Sequence, residues 1–143
     1  MEVAELALDI EQHVDIDCPI DKAFTGMLEQ ISTKMKYPGG RSMNFKLEAR
    51  PGGRWYRDLG NDSGHLWGHV QVIKPPAILE ISGPMFMSYP VINHMEIRFT
   101  EHNGKARVTL RHRAVGAVEE QHRIGVSGGW KDMLDALKRD SES

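Results

Sequence analysis

The sequence predicts an α+β domain, in which antiparallel strands are closed by one long C-terminal helix. Three observations carry this. Residues from Leu6 to Ile16 alternate apolar and polar with a period of two. Between Met43 and Ala114, strand-like runs are separated by short turns rich in Gly, Pro and Asn. Near the end, Val118, His122, Val126, Trp130, Met133, Leu134 and Leu137 form one stripe at helical spacing. Strands joined by tight turns cannot bury their apolar faces alone, so the helix is the natural cover.

The elements follow in order. Leu6, Leu8, Ile10, Val14 and Ile16 occupy even positions of a half-buried first strand, with one slip at Gln12. Cys18-Pro19-Ile20-Asp21 stops it, and proline beside a helix start is favourable because its missing N–H costs nothing there. Ala23, Phe24, Met27, Leu28 and Ile31 then predict a helix over about 20–31. Tyr37-Pro38-Gly39-Gly40 is a loop. Residues 43–50 and 54–59 form a hairpin about Pro51-Gly52-Gly53. Gly60 to Gly64 is a second turn, and His65 to Lys74 a longer strand that stops at Pro75-Pro76, where no ladder N–H is available. Ile78 to Ser82 is the next strand. Met85, Phe86, Met87 and Tyr89 make an apolar loop. Strands 91–99 and 105–114 flank His102-Asn103-Gly104, where Asn-Gly favours a tight hairpin. The final helix covers about 117–139, and the polar tail from Asp140 is expected to fray.

At 143 residues the chain fits a single domain spanning 1–143. Eighteen basic and 20 acidic residues give a net charge of −2, with no basic patch of the kind that tracks phosphates, so no nucleic-acid partner is expected. The basic run Arg107 to Arg113 alternates with Val108, Leu110 and His112, as a strand with one wet face does. Cys18 is the single cysteine, which excludes an intrachain disulfide. A basic-then-apolar leader and a run of ~20 apolar residues are both missing, so the expectation is a cytoplasmic chain with no membrane insertion.

Four pieces of sequence together carry a resemblance: Arg50-Pro51-Gly52-Gly53-Arg54-Trp55; Gly68-His69-Val70-Gln71-Val72-Ile73-Lys74-Pro75-Pro76 with Leu79-Glu80-Ile81; Ala106-Arg107-Val108-Thr109-Leu110-Arg111-His112; and Gly129-Trp130 through Leu137. In this order and spacing the chain resembles the START-like, Bet v-like helix-grip superfamily (SRPBCC). Within it, the chain looks most like the heat-shock-protein ATPase activator (Aha-type) homologue branch, over about 5–139. The resemblance implies a curved antiparallel sheet gripping the C-terminal helix and a chain that is often a homodimer. It implies no shared reaction, since the superfamily spans lipid carriers, polyketide cyclases and stress-linked binding proteins.

The function expected is non-catalytic binding of a small apolar molecule between sheet and helix. Strand alternation turns Met95, Ile97 and Phe99 one way, Leu110 and His112 with them, and Leu79 and Ile81 likewise. With Trp55 and Trp67 from the hairpin region and Val126, Trp130 and Met133 from the helix, these form the candidate lining. Alternation alone turns Trp67 outward, opposite to Val70.

An alternative is a cyclase- or dehydratase-type enzyme in which His112 or Arg54 is a positioned acid. A third is a protein-interaction module, which an exposed Met/Phe patch at 85–89 would favour. Gly125, Gly128 and Gly129 beside the helical stripe mean either room for a ligand or a kink, or a helix that starts later, near Ser127. No cofactor motif is present. His65 and His69 lie roughly 13 Å apart if both are on one strand, so no shared metal is expected.

Overall fold

The computed structural model describes residues 2–143. Seven strands and two helices follow a short 3-10 turn, Val3–Leu6. The strands are β1 (Ala7–Ile16), β2 (Phe45–Leu47), β3 (Arg54–Gly60), β4 (Ser63–Lys74), β5 (Ile78–Gly83), β6 (Val91–His102) and β7 (Lys105–Gly116). The helices are α1 (Ile20–Gln30) and α2 (Glu120–Glu142). All neighbouring strands are antiparallel in one sheet of order β1-β7-β6-β5-β4-β3-β2. From β2 to β7 the sheet is a meander. β1 stands at the opposite edge from β2, and α1 lies on the connection between them.

The inward faces of β6 and β7 pack against α1, while α2 lies over β1 and against α1. Leu79, Ile81, Met95, Ile97 and Leu110 are fully buried, and Phe99 meets Phe24 of α1 edge-on at 5.1 Å. Trp55 donates its indole N–H to the carbonyl of Ile31 at 2.7 Å, which fastens β3 to the end of α1. The helices approach closely at Gly26, where an added Cβ would stand 3.0 Å from Leu137 Cδ1 and 3.2 Å from Ser141 Oγ.

The slip at Gln12 has a structural use. Its side chain donates to the carbonyl and the hydroxyl of Ser127 on α2, at 2.8 and 2.9 Å. Further contacts run along the same flank: Arg123 donates to the carbonyls of Ala7 and Glu5, Lys138 to that of Asp15, and Glu142 accepts from Asp17 N–H. Thus α2 is stitched to the β1 edge along nearly its whole length. The basic residues of β7 meet acids of β1 on the outer face. Arg107 pairs with Asp15 and Arg111 with Asp9, each through two hydrogen bonds.

Among the boundaries that differ from the sequence expectation, β4 begins at Ser63, β6 runs on to His102 and β7 to Gly116, and three others have contacts that explain them. The strand expected over 43–50 shortens to β2, because residues 48–53 turn on themselves (Arg50 N–H to Glu48 O, Gly53 N–H to Arg50 O). The final helix begins later than expected, since Ala117 and Val118 are held by Pro90 and Gly116 carbonyls in a turn. It also extends to Glu142 rather than fraying after Arg139. Asp140 accepts from Gln30 and Lys34, and Ser141 is buried.

Candidate functional site

The cavity arises where α2 leaves the sheet on the flank away from β1. It has a volume of about 320 Å³, at the low end of small-molecule pockets. Met35, Trp67 and Phe86 face it from one side, and Gln121, His122, Gly125, Val126, Gly129, Trp130 and Met133 from α2.

Trp67 reaches it because β4 carries a bulge. Trp55 pairs with Gly68 and Tyr56 with Leu66, so Trp67 is an extra residue without a partner on β3. One inserted residue reverses the parity of the strand. Trp67 and Val70 therefore both turn inward, although they are three apart, while Leu66 is 41% exposed. The indole packs edge-on against Phe45 (4.6 Å), Trp55 (5.2 Å) and Phe86 (5.7 Å), and its N–H donates to His65 Nδ1 at 3.2 Å. The bulged carbonyl of Trp67 accepts from Met85 N–H at 2.8 Å and so anchors the loop after β5.

That loop forms the outer wall. Met85 and Met87 are fully buried, so the segment offers no exposed methionine patch. Phe86 lines the cavity and meets His122 edge-on at 5.0 Å. Tyr89 stacks on His122 and bonds its Nδ1 at 2.7 Å, while Glu119 N–H, at the start of α2, donates to the Tyr89 oxygen at 3.2 Å.

The glycines of α2 lie within the helix, not before it. Gly125 and Gly129, four residues apart, share the face that lines the cavity, and a Cβ at either would have no atom within 4 Å. Each costs about 1 kcal/mol against alanine, and the space they leave is the cavity itself. Gly128 is also unobstructed but lies off the lining.

Of the twelve sequence-derived lining residues, Trp67, Val126, Trp130 and Met133 face this cavity. Trp55, Leu79, Ile81, Met95, Ile97, Phe99, Leu110 and His112 point to the same side of the sheet but are packed in the core, each 2% exposed or less. Alternation specifies the face and cannot say whether helices fill the space above it. Met35, Phe86, Gln121, His122, Gly125 and Gly129 complete the lining. The stripe at helical spacing and the three glycines were the sequence signals for the helical part.

His112 is enclosed in the core. Its Nδ1 accepts from Trp130 Nε1–H at 2.9 Å, its Nε2 bonds Asn93 Oδ1 at 2.6 Å, and Asn93 Nδ2 donates to the Pro84 carbonyl at 3.0 Å. An indole N–H is only a donor, so Nδ1 must be unprotonated and Nε2 must carry the hydrogen. Burial pushes the imidazole down to about 4, so it is neutral near pH 7. Arg54 is on the surface in a bidentate pair with Glu48 (2.9 and 2.8 Å), which holds that carboxyl down at about 2. Neither residue named for acid catalysis stands at the cavity. Among the described residues no group of three or more His, Cys, Asp or Glu could hold a metal ion, and no helix is long and apolar enough to cross a membrane.

Solved structures of similar fold include an uncharacterized protein from Rhizobium leguminosarum, with TM-score 0.73 at 15% identity over 95% of both chains. CalU16 from Micromonospora echinospora gives TM-score 0.63 at 22% identity, over 96% of this chain and 76% of that one. The di-domain ARO/CYC BexL of the BE-7585A biosynthetic pathway gives TM-score 0.69 at 17% identity, over 97% of this chain and 51% of that one. At such identities the likeness is one of fold, the helix-grip arrangement expected from the sequence. No curated protein sequence matches the chain. The family described as Activator of Hsp90 ATPase homolog 1-like protein matches residues 17–140, and the chain belongs to that family.

Proposed function

We propose that this domain binds a small apolar molecule, without transforming it, in the cavity bounded by Trp67, Phe86 and α2. The observation that carries this reading is the pair Gly125 and Gly129. Two helix-weakening residues on one face, with nothing packed against them, keep a space of about 320 Å³ open beside α2. Aromatic rings and methionines supply most of its apolar wall, and burial of apolar area supplies the affinity. Three points weigh against the alternatives. His112 is consumed by the Trp130–Asn93 relay, Arg54 is paired on the surface, and the methionines at 85 and 87 are enclosed.

The test is native mass spectrometry of the protein purified from its own host, followed by denaturation and identification of what is released. The wild type should carry a stoichiometric apolar compound. A Gly125→Leu/Gly129→Leu variant should fold and carry none. An apo mass in the wild type, together with no thermal shift across a panel of lipids and aromatic compounds, would overturn the reading.

A further inference from the structure

We infer that the ligand is an apolar molecule with one hydrogen-bond acceptor, a carbonyl or ether-type oxygen, at the end that meets His122. This rests on the binding reading above and narrows it. The cavity wall is polarised. Gln121 and His122, in the first turn of α2, are the two lining side chains with free polar capacity. From Gly125 to Met133 the lining is apolar, because the indole N–H of Trp130 is already given to His112. The span from Gln121 to Met133 is twelve residues, or ~18 Å of helix. A bound molecule thus has one polar end and a longer apolar body.

The hydrogen bonds around Tyr89 fix what His122 offers. A phenolic oxygen has one lone pair drawn into its ring and accepts one strong bond. That place is taken by Glu119 N–H at 3.2 Å. The phenolic hydrogen then goes to Nδ1 of His122 at 2.7 Å, so Nδ1 is the acceptor and Nε2 carries the hydrogen. Glu119 Oε2 is 4.0 Å from Nδ1, too far to compete. Among the described residues Nε2 has no hydrogen-bond partner, and it is not one of their sealed, unpaired polar atoms. A doubly protonated ring would present a donor at Nε2 as well. His122 therefore offers an N–H in either state, on a ring that Tyr89 stacking and the Phe86 edge hold in place. Gln121 donates to Glu119 Oε2 at 3.2 Å and is the weaker candidate for a second contact.

The experiment compares two probes of nearly equal shape, 2-acetylnaphthalene and 2-ethylnaphthalene, by equilibrium dialysis against the full chain. A buried carbonyl gains from a donor and is penalised without one. The ratio of ketone to hydrocarbon affinity should therefore fall about tenfold in His122→Phe, while hydrocarbon affinity changes little. Tyr89→Phe, which frees the tautomer, should lower the ratio by a smaller factor of about two to three. An unchanged ratio in His122→Phe, with both probes still bound, would overturn the acceptor inference and leave the cavity reading standing. No binding of either probe to the wild type would overturn both. Imidazole nitrogen chemical shifts give a second check: Nδ1 must be unprotonated in the wild type, and a protonated Nδ1 in the neutral ring contradicts the argument.

Discussion

Trp130 on α2 donates its indole N–H to Nδ1 of His112 on β7 at 2.9 Å, and the two rings meet nearly perpendicular. This bond ties the covering helix to the floor of the sheet. It also settles the character of both residues. The tryptophan shows only its ring to the cavity, and the histidine is held as a neutral Nε2–H tautomer whose proton goes to Asn93.

Removing the donor should therefore cost more than volume. Trp130→Phe leaves Nδ1 of a fully buried imidazole without a partner. The expected loss is about 1–3 kcal/mol for the orphaned acceptor, with a further contribution from lost packing. Urea denaturation of wild type and variant measures it. A loss below about 0.5 kcal/mol would mean that Nδ1 finds another donor.

The same relay predicts a pH dependence. His112 is held at about 4 in the fold against an ordinary 6.5. As pH falls below 6.5, the unfolded chain takes up a proton that the native chain refuses. The stability tied to neutral His112 is complete above 6.5, is lost progressively down to about 4, and is constant below. A shift of this size corresponds to about 3 kcal/mol across the window. Asp15 and Glu48, each held at about 2 by hydrogen bonds from Arg107 and Arg54, lose their contribution at lower pH and so separate from it. Denaturation midpoints at pH 7, 6, 5 and 4, with imidazole chemical shifts followed in parallel, check the assignment; titration of His112 near 6.5 in the folded chain would refute it.

The helix glycines should divide by function. Gly128→Ala, off the cavity, is expected to stabilise the protein by about 1 kcal/mol and leave ligand uptake unchanged. Gly125→Leu and Gly129→Leu should each stabilise by a similar amount and reduce uptake, since the new side chains occupy the cavity. Thermal melts read the first effect and probe binding the second. Destabilisation by either leucine would show that the space is not open.

Gln12 is the polar interruption of an otherwise alternating strand, and its two bonds to Ser127 join β1 to the middle of α2. Gln12→Ala should cost about 1 kcal/mol. Hydrogen exchange should rise at the amides of residues 123–130 more than in β6, because the stitch acts on the helix. Uniform exchange across the chain would contradict a local role.

The sequence by itself determined the order of the elements, the antiparallel strands joined by short turns, the covering helix and the inward faces of β5 to β7. Each depends on neighbours close along the chain: period-two alternation, Asn-Gly and Pro-Gly-Gly turns, and a stripe at 3.6 residues. Family membership was legible for the same reason, since it rests on short local runs in a fixed order. The tertiary structure alone decided where the space lies. Whether Met95, Leu110 or His112 meets a cavity or a packed neighbour depends on how α1 and α2 settle over the sheet, which no local period encodes. Trp67 turns inward because one unpaired residue in β4 shifts its parity, and a bulge is a property of the pairing between strands rather than of either strand. His122 becomes a directed donor only when Tyr89, 33 residues earlier, and Glu119 are brought against it. Residues that close a site from distant segments leave no periodic trace, because each is constrained by a partner that the chain meets only after folding.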